Sequence, residues 1–212
     1  MREKVVSLIK EAGVVGAGGA GFPTHVKVQA DAQYVLVNGA ECEPLLRVDQ
    51  QLMAKYPDLF LKGLEAVLKA TGASQGIIAL KGKYQEAINA LKSKIAGKPI
   101  ELFILDDFYP AGDEQVTVYE VLKRVVPEGG IPLKVGCVVC NVETLLNVAQ
   151  ALENKPVTHT YLTITGEVPR PITVRWSLGV KVAEALVLAG ITRFQGTAAT
   201  DSEPMMRRLT HA

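Results

Sequence analysis

Three unbroken apolar runs alternate with segments of helical period: YVLVNGA (34–40), GIIALK (76–81) and IELFILDD (100–107). Such runs lack the inside–outside alternation of a half-solvated strand, so each must be covered on both faces. Strands of that kind, separated by helices, form a parallel sheet layered with helices on both sides. Helical spacing is read over 3–12, over 57–71 with Gly72 as the stop signal, and over 83–95. The later segment AGDEQVTVYEVLKR reads as a turn entering a helix, and VGCVVCNVETLLNVAQALE as a short apolar run entering another. After Lys155-Pro156 the texture becomes β, with THTYLTITGEV, a proline-rich turn and ITVRW, followed by the helix KVAEALVLAG. The predicted class is α/β, with a first domain over 1–155, a small β-grasp-like unit over 156–196 and a disordered tail over 197–212.

The bulk properties exclude several functions. A formal net charge of +1 over 212 residues leaves no basic surface for nucleic acid. The apolar runs stay well short of the roughly 18 residues of a membrane span. The amino terminus enters a charged amphipathic segment directly, without the pattern of a secretory signal. Three cysteines suit a reducing compartment better than a disulfide framework. The predicted location is cytoplasmic.

The stretch VVGAGGAGFPTHVK (14–27) concentrates Gly16, Gly18, Gly19 and Gly21 within six positions. Glycines at that density let a backbone approach a ligand closely. Gly16, Gly18 and Gly21 match the spacing of a dinucleotide fingerprint, but a charged helix precedes them where the fingerprint needs a strand. A generic turn remains an alternative on this evidence alone. Phe22 adds a face for stacking and Lys27 a cation. Polar loops then recur after apolar elements: NGAECEP (38–44) with Asn38, Glu41 and Glu43, YPAGDE (109–114) with Gly112, Asp113 and Glu114, and CNVET (140–144) with Asn141 and Thr144. Loops at strand carboxyl ends are where open α/β sheets hold ligands.

Taken in order, GAGGAGFPTHVK, NGAECEP, GDE and NVET resemble the flavin-site segments of the NADH-oxidising flavoprotein subunit of complex I. They are closer to the C subunit of the Rnf electron-transport complex, and of these three families closest to the cobalamin reductases of propanediol-utilisation microcompartments. The resemblance runs from about residue 10 to residue 195. It implies a modified Rossmann-like domain that binds FMN and NADH, followed by a β-grasp soluble-ligand-binding unit. It assigns Gly16, Gly18, Gly19 and Gly21 to the loop packing on flavin and nicotinamide cofactor, and Phe22 to a stacking role. Lys27, Asn38 and Glu41 would contact the flavin ring and its periphery. Glu43 and Glu114 would bond NADH, with Gly112 and Asp113 lining the same pocket. Asn141 and Thr144, at a helix amino terminus, would take the flavin phosphate.

The implied activity is hydride transfer from NADH to FMN, followed by release of single electrons to an iron–sulfur cluster or cobalamin. No catalytic side chain is required, since the cofactors carry that chemistry. The resemblance also implies partner subunits of a redox complex, and a location at a membrane through those partners or inside a microcompartment. Iron–sulfur ligation needs four cysteines, so clusters are expected only in a carboxy-terminal part beyond this chain. Two departures stand out: Ala40 and Cys140 occupy positions where the complex I protein carries an acid and an asparagine. Cys137 and Cys140 form a lone C-x-x-C, read either as buried thiols or as a metal or redox pair. Crowding among Glu41, Glu43, Asp113 and Glu114 is expected to raise at least one carboxyl pKa. Two rival readings are a scaffold fragment without flavin, and a plain dehydrogenase using Glu41 as its ribose acid.

Overall fold

A computed structural model describes residues 2–19 and 21–192. The expected tail, 197–212, lies outside the described residues. The described residues divide into two compact units, one formed by those up to Cys42 with Asp49–Val157, the other by Glu43–Val48 with 158–192.

The first unit is built on four parallel strands, β1 (Tyr34–Asn38), β2 (Gln75–Lys81), β3 (Ile100–Leu105) and β4 (Cys137–Asn141), in the order β3-β2-β1-β4. The three apolar runs form β1, β2 and β3, and CVVC forms the fourth. The chain builds outward from β1 to β3 and then returns to lay β4 on the other side of β1. That reversal leaves a switch point between β1 and β4, where connections leave the sheet in opposite directions. The register is unbroken, and Asn38 lies directly beside Asn141 at the carboxyl ends.

Helices cover both faces, as the unbroken apolar strands require. α4 (Pro57–Thr71) and α7 (Val142–Ala151) pack on one face and on each other, with α1 (Arg2–Glu11) and α5 (Gln85–Lys92) beside them. Pro57 starts α4 where a missing N–H costs nothing, and Gly72 ends it with φ of 69°. α6 (Glu114–Leu122) covers the opposite face, where Val118 joins Leu36, Ile77, Val139 and Leu105 in one buried cluster. Leu36, Ile77 and Val139 share a face because they pair in register across three strands.

Two short helices have no counterpart in the sequence pattern, α2 (Thr24–Lys27) and α3 (Val48–Lys55). α2 is a single turn that Pro23 begins without a side-chain cap. α3 carries a weak apolar face, with only Leu52 and Met53 as its buried apolar residues. The period is therefore too brief to read. The second unit contains antiparallel β5 (His159–Ile164) and β6 (Ile172–Ser177), followed by α8 (Val182–Leu188). Its small core joins Ile164, Ala185 and Ala189 with Leu162, Val174 and Trp176 at their edge.

The α4–α7 contact is set by Gly63, where an added Cβ would fall 1.9 Å from the Leu145 carbonyl oxygen. Backbone cannot yield to that overlap without the helices separating. Gly63→Ala should lower unfolding stability by about 1–3 kcal/mol, read as a lower urea midpoint. An unchanged midpoint would show that the two helices are not in close backbone contact.

Candidate functional site at the carboxyl ends of the parallel strands

The glycine loop is a closed structure rather than a loose turn. Its base is pinned by an antiparallel bridge between Val15 and Pro23, by Gly16 N–H donating to the Phe22 carbonyl at 2.9 Å, and by Thr24 N–H donating to the Val14 carbonyl at 3.2 Å. Val14 and Thr24 are buried, whereas Ala17, Gly18 and Gly19 are exposed. Gly19 and Gly21 adopt φ of 117° and 61°, in the region that favours glycine. Among the described residues, the N–H groups of Gly18 and Gly19 have no acceptor. This loop does not open its own anion-binding helix. It docks instead on α7, where Ala17 N–H donates to Thr144 Oγ1 at 2.9 Å. A Cβ added to Gly18 would meet Asn141 Cβ at 3.4 Å, ordinary van der Waals contact, so Gly18 lies against the Asn141 side chain.

Asn141 is the N-cap of α7. Its Oδ1 accepts from the N–H of Glu143 at 2.8 Å and of Thr144 at 3.4 Å, satisfying two otherwise unpaired donors. Its Nδ2 donates to Asp49 Oδ2 at 2.9 Å. Across the switch point, Asn38 Nδ2 donates to the Gly112 carbonyl at 2.7 Å and Asn38 Oδ1 accepts from Ala40 N–H at 3.2 Å. Gly112 is required there, because a Cβ would fall 2.0 Å from the Ala40 carbonyl oxygen. Asp113 caps α6 through Oδ1, which accepts from Gln115 N–H and Val116 N–H. One oxygen of that carboxylate therefore serves the helix.

Lys27 spans the site. Its ammonium donates to the Val139 carbonyl at 2.8 Å, lies 3.8 Å from a Glu114 carboxylate oxygen and sits 5.7 Å from the centroid of the Phe22 ring. Phe22 keeps 42% of its surface exposed, so one face is open to a planar partner. Glu41 is buried and accepts from Asp49 N–H at 3.3 Å and from Gln50 Nε2 at 3.4 Å.

The structure thus brings together the glycine loop, Phe22, Lys27, Asn38, Glu41, Gly112, Asp113, Glu114, Asn141 and Thr144. Glu43 falls in the other compact unit. It begins the segment Glu43–Val48, where its carbonyl accepts from Leu46 N–H.

Two residues near this site carry no clear signal in the sequence. Asp49 and Glu143 are buried, with Glu41 close to Asp49. Burial pushes the Asp49 carboxyl well above its ordinary value, and the charges of Glu41 and Glu143 add to the effect, against the Asn141 hydrogen bond. Burial and the Glu41 charge also hold the Tyr84 phenol protonated. The signal for Asp49 is faint, an acid three residues before the buried Leu52 in a helix too short to show a period. Glu143 is in view inside NVET, but its burial depends on the packing of α7.

Cys137 and Cys140 do not form a pair. They stand three apart on β4, so their side chains point to opposite faces of the sheet. Both are buried, and burial pushes each thiol up to about 11. Among the described residues, no group of three or more His, Cys, Asp or Glu side chains could hold a metal ion.

In native protein, Cys42 should react with a thiol reagent while Cys137 and Cys140 react only after unfolding. Rapid native modification of all three would overturn the burial of β4. For Asp49, the folded carboxyl keeps its proton above the ordinary 3.8 while the unfolded one releases it. Stability therefore falls as pH rises through the window between the two values. Asp49→Asn removes that loss and should gain stability over the parent from pH 4 to pH 7. A midpoint difference between variant and parent that stays the same at the two pH values would contradict it.

Residues 9–150 match the Nuo51 FMN-binding domain family. The cobalamin reductase PduS of Citrobacter freundii is 50% identical over 199 residues, covering 93% of this chain and 44% of that protein. The C subunit of the sodium-translocating ferredoxin:NAD(+) oxidoreductase complex of Acetobacterium woodii is 35% identical, covering 84% of this chain and 42% of that protein. The chain spans less than half the length of these two relatives. A chain from the crystal structure of an NAD+-reducing NiFe hydrogenase in the air-oxidised state shares the fold, with a TM-score of 0.74 at 24% identity over 89% of this chain and 39% of its own. With a match covering most of its length and falling on the segments that meet at the switch point, this chain belongs to the Nuo51 FMN-binding domain family.

Proposed function

We propose that this chain is the FMN- and NADH-binding part of an electron-transfer flavoprotein. The observation that carries the reading is the placement of Asn38 beside Asn141 at the switch point, with the glycine loop tethered to Thr144 directly above the α7 amino terminus. Three features fit the cofactor. The Gly18 and Gly19 N–H groups are free among the described residues, Gly18 lies against the Asn141 side chain, and Lys27 supplies a cation that is three-quarters buried.

When bound, FMN accepts a hydride from a nicotinamide and returns electrons one at a time. The protein's own part is to bind and orient. The α7 amino terminus suits the phosphate group through its dipole, with the Thr144 hydroxyl and the Gly18 and Gly19 amides as donors, since Asn141 already caps the Glu143 and Thr144 N–H groups. Lys27 suits the ring system, because its charge faces the same space as the Phe22 ring. Asn38 and Gly112 hold the loop that presents Glu114, and Glu114 is the acid placed to meet the nicotinamide nucleotide. Gly16 and Gly21 shape the glycine loop, while Glu41 is buried and holds the start of α3 through the Asp49 N–H. Asp113 acts mainly through the start of α6. Glu43 is proposed as a second nucleotide contact on the resemblance alone.

The acceptor is an iron–sulfur cluster outside these residues or a cobalamin, consistent with the activities for which the relatives are named. Three cysteines, two of them buried on opposite faces, cannot ligate a cluster within this chain. Partner subunits of a redox complex follow from the same relatives. Among the described residues, no helix is long and apolar enough to cross a membrane.

Protein incubated with FMN should keep its colour through gel filtration and bleach with NADH under anaerobic conditions. Protein that emerges colourless would favour a scaffold role. Lys27→Ala should weaken FMN binding by about tenfold, the scale of one charge-assisted hydrogen bond, with cooperative unfolding retained. Glu114→Gln should raise the NADH concentration for half-maximal reduction more than it lowers flavin content. The opposite division would remove Glu114 from the nucleotide site.

A further inference from the structure

Asp49 is a buried acid in an unfavourable place, beside Glu41 and near Glu143. An apolar residue or an amide would avoid the cost of burying a carboxyl among like charges. What the carboxyl does is hold one side chain: Asp49 Oδ2 accepts from Asn141 Nδ2 at 2.9 Å. The remaining polar atom of that amide, Oδ1, is committed to the N–H groups of Glu143 and Thr144. Asn141 therefore has both ends engaged inside the protein and a single orientation. Its Cβ is the surface on which Gly18 packs, and the adjacent Thr144 hydroxyl holds Ala17. Asp49 is in turn oriented from behind, since its own N–H donates to Glu41 Oε1 and Gln50 Nε2 donates to Glu41 Oε2.

We propose that Asp49 is a positioning residue for the phosphate end of the flavin site, acting through Asn141 to fix the α7 amino terminus against the glycine loop. This rests on the reading that the site takes FMN. Without the Asp49 contact, the Asn141 Nδ2 group loses its acceptor, and the amide turns toward other partners. The N-cap and the floor beneath Gly18 then lose their register together. The ring end of the site, held by Lys27 on Val139 and by Asn38 on Gly112, does not depend on this chain of contacts. The raised Asp49 carboxyl is consistent with the role, because a neutral acid tolerates an arriving phosphate where a charged one would repel it.

The test compares FMN with riboflavin, which lacks the phosphate, by fluorescence quenching on the full 212-residue chain. Asp49→Leu should leave riboflavin affinity close to that of the parent and reduce the preference for FMN over riboflavin by about tenfold. Asp49→Asn retains an acceptor oxygen for Asn141 and should restore most of the preference. In an Asn141→Ala background, Asp49→Leu should add no further loss, because both changes break the same contact. Riboflavin binding reports folding in every variant, and Asp49→Ala serves if the leucine variant does not fold. An unchanged FMN preference in Asp49→Leu or Asp49→Ala overturns the proposal, as does additive loss in the double variant. Parent protein that binds neither flavin overturns the flavin reading itself, a different outcome from an Asp49 variant that keeps the FMN preference.

Discussion

The parallel pairing of β1 with β4 is the constraint on which the rest of the site depends. These strands are separated by about a hundred residues, yet their register places Asn38 and Asn141 side by side. Because the chain reverses its direction of sheet growth at this point, the loops after β1 and β4 diverge rather than cover one another. The crevice so created is lined by strand carboxyl ends and by the amino terminus of α7. Every other element of the site is fastened to this pair. The glycine loop is tied to Thr144, the lysine to the Val139 carbonyl and the GDE loop to Asn38.

Electrostatics gives the crevice two ends of different character. Lys27 faces Phe22 and Glu114 at one end, a cation shared between an open aromatic face and a partly exposed acid. At the other, the Gly18 and Gly19 amides, without an acceptor among the described residues, and the α7 amino terminus favour negative charge. Behind that end lie Glu41, Asp49 and Glu143, whose crowding raises the Asp49 carboxyl. The acids do not line an open surface. They are buried; both Glu41 oxygens accept from N–H groups, and Asp49 Oδ2 accepts from Asn141.

Much of the fold was legible because the strands are apolar on both faces and the long helices are amphipathic. The α4 boundaries, Pro57 and Gly72, carry local signals that act within a turn of the chain. The site was legible in part for the same reason, since glycines, an N-cap asparagine and a lysine declare what a backbone can do. Other assignments depended on partners far away. Asp113 reads as a pocket acid, and that one of its carboxylate oxygens caps α6 appears only in the fold. The C-x-x-C spacing suggests a pair until the strand period sends its two thiols to opposite faces. Asp49 gives only a faint signal until α3 forms and brings it to Asn141.

What the sequence determined by itself is the class of structure and the chemical types gathered for the site. Those properties follow from burial patterns and turn preferences, which are local and period-dependent. Only the tertiary structure decided which polar groups meet, which acids are buried, and that the glycine loop docks on a helix more than a hundred residues later. Contacts of that kind depend on strand order and register, and no local preference specifies either.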